Sequence, residues 1–309
     1  MNLIRSFTSF AGLQKPTVAT IGNFDGVHLG HQAMIDFVIQ QAQAKNLQSA
    51  LITFEPTPKE YFLKDKSPSR IYNFRAKYEV VRSLGIQHFV CLRFNKALAS
   101  MPAKDFIEKV LVDQLRIQQL VVGDDFRFGW GREGNTALLK AMGEQYSYQV
   151  HDQETVLHAT RRVSSSAIRE KLAAGEFKQT LALMGRPFDL SGRVFHGDKR
   201  GRTIGFPTAN ILLKRSVSPL QGVFAIRAST FDKQWEGVAN IGKRPTIKGS
   251  RMQLEAHLFN CDENLYGQRL NIQPLLKIRD EQKFSSLEEL QHQISLDVEQ
   301  AQHYFKHRT

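Results

Sequence analysis

Residues 17–32 read Thr-Val-Ala-Thr-Ile-Gly-Asn-Phe-Asp-Gly-Val-His-Leu-Gly-His-Gln, and this stretch decides the fold. Its first part, Val18–Ile21, is a short apolar and β-branched run that predicts a buried strand. Two glycines and an aspartate then interrupt the run, which predicts a loop. Apolar residues recur at helical spacing afterwards, so we expect a helix over His31–Lys45.

Two histidines, His28 and His31, lie where the predicted loop becomes the helix. A helix N-terminus presents unpaired backbone N–H groups and the positive end of the helix dipole. Two imidazoles beside it favour phosphate on which charge develops during a reaction. A His-x-x-His pair also occurs in ordinary turns. Metal binding has less support, because no His-Glu-x-x-His or Cys/His cluster accompanies the pair.

Strand-like and helix-like segments alternate over residues 18–150. This alternation predicts an α/β domain with a doubly wound parallel sheet. Ligands of such sheets bind beyond the carboxyl ends of the strands, which is where His28 and His31 fall. The predicted strands are Val18–Ile21, Ala50–Phe54, His88–Phe94, Gln118–Val122 and Tyr146–Val150. The predicted helices are His31–Lys45, Phe74–Leu84, Pro102–Gln114 and Thr136–Gln145.

A second polar segment, Gly123–Gly129, reads Gly-Asp-Asp-Phe-Arg-Phe-Gly and follows the fourth predicted strand. Just beyond it, Gly129–Gly134 matches Gly-x-Gly-x-x-Gly, but the dinucleotide fingerprint requires that spacing directly after a strand near the start of a βαβ unit. We therefore interpret these glycines as a loop that lines a nucleotide pocket. Earlier in the chain, Glu55–Pro58 predicts a rigid turn and Lys59–Arg70 a mobile surface loop.

The segment Arg161–Arg169 reads Arg-Arg-Val-Ser-Ser-Ser-Ala-Ile-Arg. Its serines predict the N-cap of a following helix. The same hydroxyls and Arg169 are also suited to phosphate, because a guanidinium carries five donors and a permanent charge. The sequence has no Gly-x-Ser-x-Gly elbow, so we do not infer a serine nucleophile.

Short alternating runs replace the helix patterns in the last third of the chain. They predict antiparallel strands that form a small closed or nearly closed barrel. The tail, Ser286–Phe305, has apolar residues at helical spacing, and Ser286 with Glu289 predicts a capping box at its start. We place the two domains at residues 1–184 and 185–309. The predicted barrel strands are Val223–Ala228, Gly237–Ile241, Met252–Phe259 and Arg269–Leu276.

Residues 192–210 form a second chemically dense stretch. Its glycines allow close approach of the backbone to a ligand, and its basic side chains complement phosphate. Thr208 and Asn210 lie two apart, so on a strand they share a face and offer oxygens that suit Mg²⁺. A basic hairpin loop before an ordinary strand is the alternative interpretation. These glycines and basic residues are Arg193, Gly197, Lys199, Arg200, Gly201, Arg202 and Gly205.

Glu255 is a carboxylate inside the apolar run Leu254–Phe259. On strand alternation it shares a face with His257 and Phe259. A carboxylate in this setting is suited to accept the proton of an alcohol that attacks ATP. A salt-bridged glutamate on an edge strand is the alternative.

The chain has 309 residues, a net charge of +12 and two cysteines far apart in sequence. Its length allows two domains, and the cysteines predict neither a disulfide scaffold nor zinc. The basic excess is divided equally between the two predicted domains, and no helix-turn-helix, RRM or zinc-finger pattern accompanies it, so nucleic-acid binding is not expected as the main function. Without a long apolar segment or a signal-like N-terminus, we expect a cytoplasmic protein that does not bind membranes.

The complete set of motifs resembles the prokaryotic bifunctional riboflavin kinase/FAD synthetase family over nearly the whole chain. The N-terminal motifs are Gly22–His31, Gly123–Gly129 and Ser164–Arg169. The C-terminal motifs are Gly201–Asn210, Gly237–Thr246, Leu254–Asn260, Leu265–Leu270 and Ile278–Phe284. This chain differs from the family pattern at Thr57, Asp125 and Ser166, where many relatives have histidine, some have asparagine and threonine is more usual, respectively.

The resemblance implies two reactions. The barrel would convert riboflavin and ATP to FMN and ADP, and the nucleotidylyltransferase-like, Rossmann-like domain would convert FMN and ATP to FAD and pyrophosphate. It implies catalytic roles for His28, His31 and Arg169 in FAD formation, and for Glu255 as the general base in FMN formation. The residues that it implies in nucleotide, flavin or Mg²⁺ binding are Gly22, Asn23, Phe24, Asp25, Gly30, Asp125, Ser164, Ser165, Gly197, Lys199, Gly201, Arg202, Gly205, Thr208 and Asn210, the last two as metal ligands.

Two alternatives come from other functional classes. A single-activity nucleotidylyltransferase whose barrel is a flavin-binding regulatory module would form no FMN from riboflavin and ATP. A basic nucleic-acid-binding protein would bind DNA or RNA in a salt-sensitive way without ATP turnover. We expect small-molecule substrates, no nucleic-acid partner, and a monomer or weak homo-oligomer.

Overall fold

The computed structural model describes residues 1–5, 13, 15–154, 156–158, 161–197, 205–213, 217–246 and 249–307. The chain forms two compact units. The first consists of Met1–Pro68 with Tyr72–Ser165, and the second of Ser69–Ile71 with Ser166–Thr309. A functional boundary after Met184 stays a prediction.

A six-stranded parallel sheet forms the centre of the first unit. Its strands are β1 (Asn2–Ile4), β2 (Thr17–Ile21), β3 (Gln48–Glu55), β4 (His88–Arg93), β5 (Ile117–Gly123) and β6 (Gln149–Gln153). The order across the sheet is β1-β4-β3-β2-β5-β6. A separate antiparallel pair consists of β7 (Leu157–His158) and β8 (Arg161–Arg162).

Helices cover both faces of this sheet. They are α1 (Leu29–Ala44), α2 (Pro58–Leu63), α3 (Phe74–Ser83), α4 (Lys96–Ala99), α5 (Ala103–Phe106) and α6 (Thr136–Tyr146). The chain after α5 continues as a π-helix over Ile107–Val112. Side chains of α1 and α3 share one core with Val18, whereas those of α5, the π-helix and α6 share a second core with Ala19. The predicted doubly wound α/β fold is therefore confirmed.

The stretch predicted as a turn and a surface loop contains α2. Thr57 caps this helix, because its Oγ1 accepts from the Glu60 backbone N–H (3.4 Å) while the Glu60 carboxylate accepts from the Thr57 N–H (2.9 Å). Pro58 occupies the first turn, where its missing N–H costs no hydrogen bond. The loop prediction was therefore wrong for Lys59–Leu63, since this capping box favours a helix despite the basic composition.

The chain changes direction across the sheet between β2 and β5. From β2 it continues through β3 to β4 on one side, and it then returns to place β5 and β6 on the other side. The carboxyl ends of β2 and β5 are neighbours, because Thr20 pairs with Val121. In doubly wound sheets ligands bind in the crevice at such a switch point. The segment containing His28 and the segment Gly123–Gly129 both begin at this crevice.

Six antiparallel strands close into a barrel in the second unit. They are β9 (Leu190–Phe195), β10 (Ala209–Leu212), β11 (Gly222–Ser229), β12 (Gln234–Thr246), β13 (Gly249–Leu258) and β14 (Arg269–Arg279). Their order is β10-β13-β12-β11-β14-β9, with β9 closing onto β10. The predicted barrel is confirmed, and β9 and β10 extend it beyond the strands expected from alternation.

The remaining helices are α7 (Ser165–Ala174), α8 (Phe177–Met184) and α9 (Leu287–Lys306). Ala301 of α9 packs with Val223 and Val238 on the outside of the barrel. Ser286 caps α9 as predicted, but the Glu289 carboxylate accepts from the backbone of the preceding serine, so the capping box is incomplete. No helix within the described ranges is long and apolar enough to cross a membrane.

A buried ion pair fixes α9 to the end of β14. The guanidinium of Arg279 donates from Nε to Asp297 Oδ1 (2.8 Å) and from Nη2 to Asp297 Oδ2 (2.7 Å). Asp297 is only 3% exposed, and Gln293 donates a further hydrogen bond to it (3.1 Å). Breaking such a pair leaves a charge buried without compensation, which is strongly unfavourable.

We expect Asp297→Ala to lower the free energy of unfolding of the full chain by about 3–5 kcal/mol, because Arg279 would lose its buried carboxylate. Urea unfolding monitored by circular dichroism measures this loss. The matched control is Lys233→Ala, which removes an exposed ion pair with Glu263 on the same barrel and should change stability little. Equal effects of the two substitutions would contradict the assignment of Arg279–Asp297 as a structural pair.

We expect His88 in β4 to make the stability of the folded chain sensitive to acid. Burial lowers the pKa of its imidazole below the ordinary value of 6.5. The unfolded chain therefore takes up this proton first as the pH falls, so stability present above pH 6.5 is lost as the pH falls through the folded-state pKa. His88→Gln should lose less stability than the parent between about pH 7 and 5, measured by urea midpoints. If His88→Gln and the parent lose the same stability between these two pH values, His88 is not the cause.

Candidate active sites

His28 ends the loop after β2 and caps α1 with its own side chain. Its Nδ1 accepts a hydrogen bond from the backbone N–H of His31 (3.4 Å). In the neutral ring the proton then lies on Nε2, which makes that atom a donor. The two imidazoles stack with their centroids 3.6 Å apart, and the first turn of α1 has no acidic residue to offset the helix dipole. This arrangement favours an anion, and it starts α1 two residues earlier than predicted.

The loop before His28 is held in an unfavourable backbone conformation. Phe24, Gly26 and Val27 have φ values of 49°, 79° and 41°. A β-branched residue rarely adopts this left-handed region. Val27 is fully buried, and its carbonyl accepts a hydrogen bond from Gln32 Nε2 (2.8 Å), so packing and this contact hold the loop in place. Strain of this kind is typical of ligand-binding loops.

Gly22 and Gly30, two of the predicted binding residues, leave little room for a side chain. A Cβ at Gly30 would lie 3.3 Å from His28 Nδ1, and one at Gly22 would lie 3.3 Å from the Phe24 ring. The Phe24 ring in turn lies 5.1 Å from the His31 ring. The spacing of the motif is therefore explained by the packing of its aromatic rings.

Lys77 of α3 is a residue that the sequence analysis missed. It is only 4% exposed, and its Nζ donates to the Asn23 carbonyl (3.0 Å) and to Thr53 Oγ1 (3.1 Å). Since Thr53 lies near the carboxyl end of β3, this ammonium connects the histidine loop to the neighbouring strand. The available signal was a lysine four residues before Val81, on the apolar face of a predicted helix.

Asp25 fastens the other side of the loop. Its Oδ1 accepts from the Tyr72 backbone N–H (3.1 Å), and its carbonyl accepts from Ser165 Oγ (2.8 Å). Ser165 begins α7, directly after the half-buried Ser164. The structure therefore brings Asp25 and Ser165, two predicted site residues, into direct contact.

Asp125 lies at the carboxyl end of β5 and is exposed. Arg162 of β8 approaches it, with 3.2 Å between Arg162 Nη2 and Asp125 Oδ2, and 3.5 Å to Asp124 Oδ1. The arginine was part of the predicted serine-arginine segment, but this pairing with the aspartates was not predicted. A guanidinium therefore lies beside the carboxylates at the switch point.

Arg169 belongs to the second compact unit. Its Nε donates to the Ser69 carbonyl (2.6 Å), a residue of the same unit. A catalytic role for Arg169 stays a prediction.

The barrel brings Thr208, Asn210 and Glu255 together. Asn210 and Glu255 are direct partners across β10 and β13, and Glu255 faces Asn240 on the other side, in β12. Asn210 is 7% exposed, and its Nδ2 donates to the Thr208 carbonyl (3.3 Å). Because β13 has a neighbour on each side, the alternative of an edge-strand glutamate is wrong.

The surroundings of Asn210 fit a small oxygen-ligated cation. Oxygens of Thr208, Asn210 and Glu255 are the hard donors that Mg²⁺ prefers. A Cβ at Gly197 would lie only 2.7 Å from Asn210 Cγ, so the glycine leaves the space beside the amide open. Gly205 has a φ of 85°, with no atom within 4 Å of an added Cβ. Three predicted binding residues, Lys199, Gly201 and Arg202, lie outside the described residues.

His257 connects two of the C-terminal motifs. Its Nδ1 lies 2.9 Å from the Pro207 carbonyl, and its ring packs edge-on against Phe206 at 5.5 Å. In the neutral ring Nδ1 therefore carries the proton and donates to that carbonyl. The backbone directly before Thr208 is thus held by the strand that carries Glu255, which explains why the two motifs occur together.

A cavity of about 570 Å³ opens beside Thr208. This volume falls within the range of roughly 300–1,000 Å³ that is typical of ligand pockets. Its wall combines the ends of β9, β10 and β13 with the segment that contains the Leu265–Leu270 motif. The lining residues are Val194, Pro207, Thr208, Ala209, Ala256, Leu258, Cys261, Asp262, Glu263, Asn264, Leu265 and Tyr266.

The last motif, Ile278–Phe284, reaches the face of β12 and β13 that carries Glu255. A Cβ at Gly242 would overlap the carboxylate of Glu281, so only glycine fits beneath that side chain. Gly242 lies in β12, two residues after Asn240, on the face that carries Glu255. The motif Ile278–Phe284 therefore reaches the strand face on which Asn240 and Glu255 lie.

Comparisons with known proteins agree with the α/β unit followed by a barrel. A family model described as FAD synthetase matches residues 11–167, and one described as riboflavin kinase matches residues 184–305. The bifunctional riboflavin kinase/FMN adenylyltransferase of Escherichia coli (strain K12) is 43% identical over 99% of this chain and 98% of its own length. The protein of the same description from Haemophilus influenzae is 42% identical over 99% of both chains.

Among solved structures, a crystal structure described as a macrolide-efflux protein from Streptococcus pneumoniae matches with a TM-score of 0.81. It is 25% identical and covers 100% of both chains. The doubly wound unit, the barrel and these matches are those of a two-domain nucleotide-dependent transferase. The chain belongs to the bifunctional riboflavin kinase/FMN adenylyltransferase family, which confirms the resemblance seen in its motifs.

We expect Lys77→Met to lower the free energy of unfolding by about 1–3 kcal/mol, because the Asn23 carbonyl would lose a buried donor. Amide hydrogen exchange in the loop Asn23–His28 should become faster, as measured by mass spectrometry. The control is Arg75→Met on the same helix, where the side chain is exposed and pairs with the solvent-facing Glu79. If both variants change loop exchange equally, Lys77 does not hold the loop.

Proposed function

We propose that this chain makes both flavin cofactors, FMN in its barrel and FAD at the carboxyl edge of its parallel sheet. The first reaction converts riboflavin and ATP to FMN and ADP, and the second converts FMN and ATP to FAD and pyrophosphate. One observation carries the proposal: two separate groups of polar residues lie in two compact units, in the same order as the two family models.

In FAD formation, an oxygen of the FMN phosphate attacks the α-phosphorus of ATP and pyrophosphate leaves. Negative charge develops on the phosphate oxygens in the transition state. The stacked His28 and His31 and the uncompensated N-terminus of α1 stabilise that charge. Lys77 and Gln32 act through the backbone, because they hold the loop that presents these donors.

An aromatic cluster is suited to the flavin ring of FMN. Phe54 and Phe94 lie at the carboxyl ends of β3 and β4, and Tyr61 and Phe62 of α2 pack against Phe94 at 5.3 and 5.8 Å. Phe62 is 62% exposed, which is unusual for a large apolar side chain. Such a surface offers the planar, apolar contact that an isoalloxazine ring requires.

In FMN formation, Glu255 accepts the proton of the 5′-hydroxyl of riboflavin as that oxygen attacks the γ-phosphorus of ATP. The cavity beside Thr208 holds the nucleotide, and Asn210 pairs with the base across β10 and β13. Thr208 and Asn210 would hold Mg²⁺, which supplies charge neutralisation on the phosphates when it is bound. Both reactions are phosphate transfers, so positioning and charge stabilisation carry most of the catalysis.

ATP is consumed at both sites, which favours a cytoplasmic enzyme with small-molecule substrates. The adjacency of Asn210 and Glu255 favours a catalytic barrel over a flavin-binding regulatory module. Absence of a nucleic-acid partner and a monomeric or weakly associated state stay predictions. Incubation with riboflavin, ATP and Mg²⁺, followed by chromatography of the flavins, should yield both FMN and FAD. The proposal fails if neither appears, and the regulatory alternative is supported if FAD forms only from added FMN.

Single substitutions should separate the two activities. His31→Ala should reduce FAD formation by roughly 100-fold or more, because a group that stabilises the transition state is lost, while FMN formation continues. Glu255→Gln should reduce FMN formation by about 100- to 10,000-fold, while FAD still forms when FMN is supplied. Initial rates of both products, measured for each variant with each flavin substrate, test this separation. If both variants lose both activities, the assignment of one active site to each domain is wrong.

A further inference from the structure

A single amide nitrogen connects the two central residues of the barrel site. Gln253 lies on β13, two residues before Glu255 and on the same outer face. Its Nε2 donates to Asn210 Oδ1 (2.8 Å) and to Glu255 Oε1 (3.0 Å). None of the sequence motifs includes Gln253, and its position in an alternating strand gave no sign of these contacts.

Gln253, Asn210 and Thr208 form a chain of hydrogen bonds in which each residue donates to the next. Gln253 Nε2 donates to Asn210 Oδ1, and Asn210 Nδ2 donates in turn to the Thr208 carbonyl (3.3 Å). An amide has a similar shape at its oxygen and nitrogen ends, so its partners decide which end points where. Here the donor at Gln253 and the acceptor at Thr208 together select one of the two orientations of the Asn210 side chain.

We infer that Gln253 is a positioning residue for phosphate transfer in the barrel, because it orients the Asn210 amide and holds the Glu255 carboxylate beside it. The inference rests on the proposed roles of Asn210 and Glu255. An amide offers its oxygen, never its nitrogen, to a cation, so the orientation of Asn210 decides whether it can act as a ligand. A carboxylate has two oxygens, so a hydrogen bond at Oε1 does not prevent proton acceptance at the other oxygen.

The geometry predicts different effects for two substitutions of Gln253. Gln253→Met keeps the length of the side chain but removes the donor. Gln253→Glu keeps the shape and places an acceptor against two acceptors, Asn210 Oδ1 and Glu255 Oε1. A residue that only fills space on the outside of the barrel would not produce this order of effects.

The test uses the full chain and measures kcat and KM for riboflavin phosphorylation in the presence of Mg²⁺. We expect kcat to fall about 10-fold in Gln253→Met and about 100-fold in Gln253→Glu, because a hydrogen bond to a charged group is lost and then replaced by repulsion. The KM for riboflavin should change little. FAD formation from supplied FMN serves as an internal control for folding, and it should equal that of the parent.

Gln234→Glu is the matched control variant. Gln234 begins β12 of the same barrel and is exposed, so the same change of charge there should leave both activities unchanged. If Gln253→Glu also reduces FAD formation, its folding is impaired, and the kcat of the milder Gln253→Met then tests the inference. A wild-type kcat in Gln253→Met overturns the inference.

A ligand-free readout tests the orientation directly. In protein labelled with ¹⁵N-asparagine, the side-chain amide protons of Asn210 should exchange with water about 10-fold faster in Gln253→Met than in the parent, because the amide loses one of its two fixed partners. Unchanged exchange overturns the inference. The proposed function fails separately, if Glu255→Gln retains FMN formation at the parent rate.

Discussion

The burial of β2 between two parallel neighbours determines where the first site can form. All five residues of Thr17–Ile21 are buried, and the chain continues to β3 on one side and later adds β5 on the other. Parallel strands end at the same edge, so the segments after β2 and β5 must both leave the sheet there. The helix that follows β2 has to start at that edge, and its positive end consequently faces the crevice. The position of the proposed phosphate site thus follows from the topology of the sheet, before any histidine is considered.

The barrel meets the same chemical requirement in a different way. Within its described residues, the strands are antiparallel and no long helix starts beside Asn210 and Glu255. Closure gives β13 a partner on each side, so Asn210 and Asn240 flank Glu255 from neighbouring strands. The polar atoms proposed for phosphate transfer therefore come from cross-strand pairs on the outer face of a sheet, whereas in the first unit they come from a loop and a helix end. Under this proposal the two units stabilise charge on phosphate in two independent ways.

Local patterns in the sequence were sufficient to predict the doubly wound sheet and the barrel, because strand and helix periodicity are local properties. The contacts that were missed depend on tertiary packing. Lys77 meets the Asn23 carbonyl across 54 residues of chain, and Gln253 meets Asn210 across 43. Helix α2 was missed for a different reason: a single capping box at Thr57 favours a helix in a stretch whose composition predicts a loop.

His28 caps the start of α1 and also belongs to the proposed phosphate site, which limits the residues that could replace it. Serine, threonine, asparagine and aspartate are better N-caps, so selection for helix stability alone would not favour histidine at this position. An aspartate would repel phosphate, whereas a neutral imidazole that accepts at Nδ1 keeps a donor at Nε2. The ring also couples two equilibria: a ligand bound only by the capped form would stabilise that form by mass action. If nucleotide binds here as proposed, its concentration would also determine how often the first turn of α1 opens.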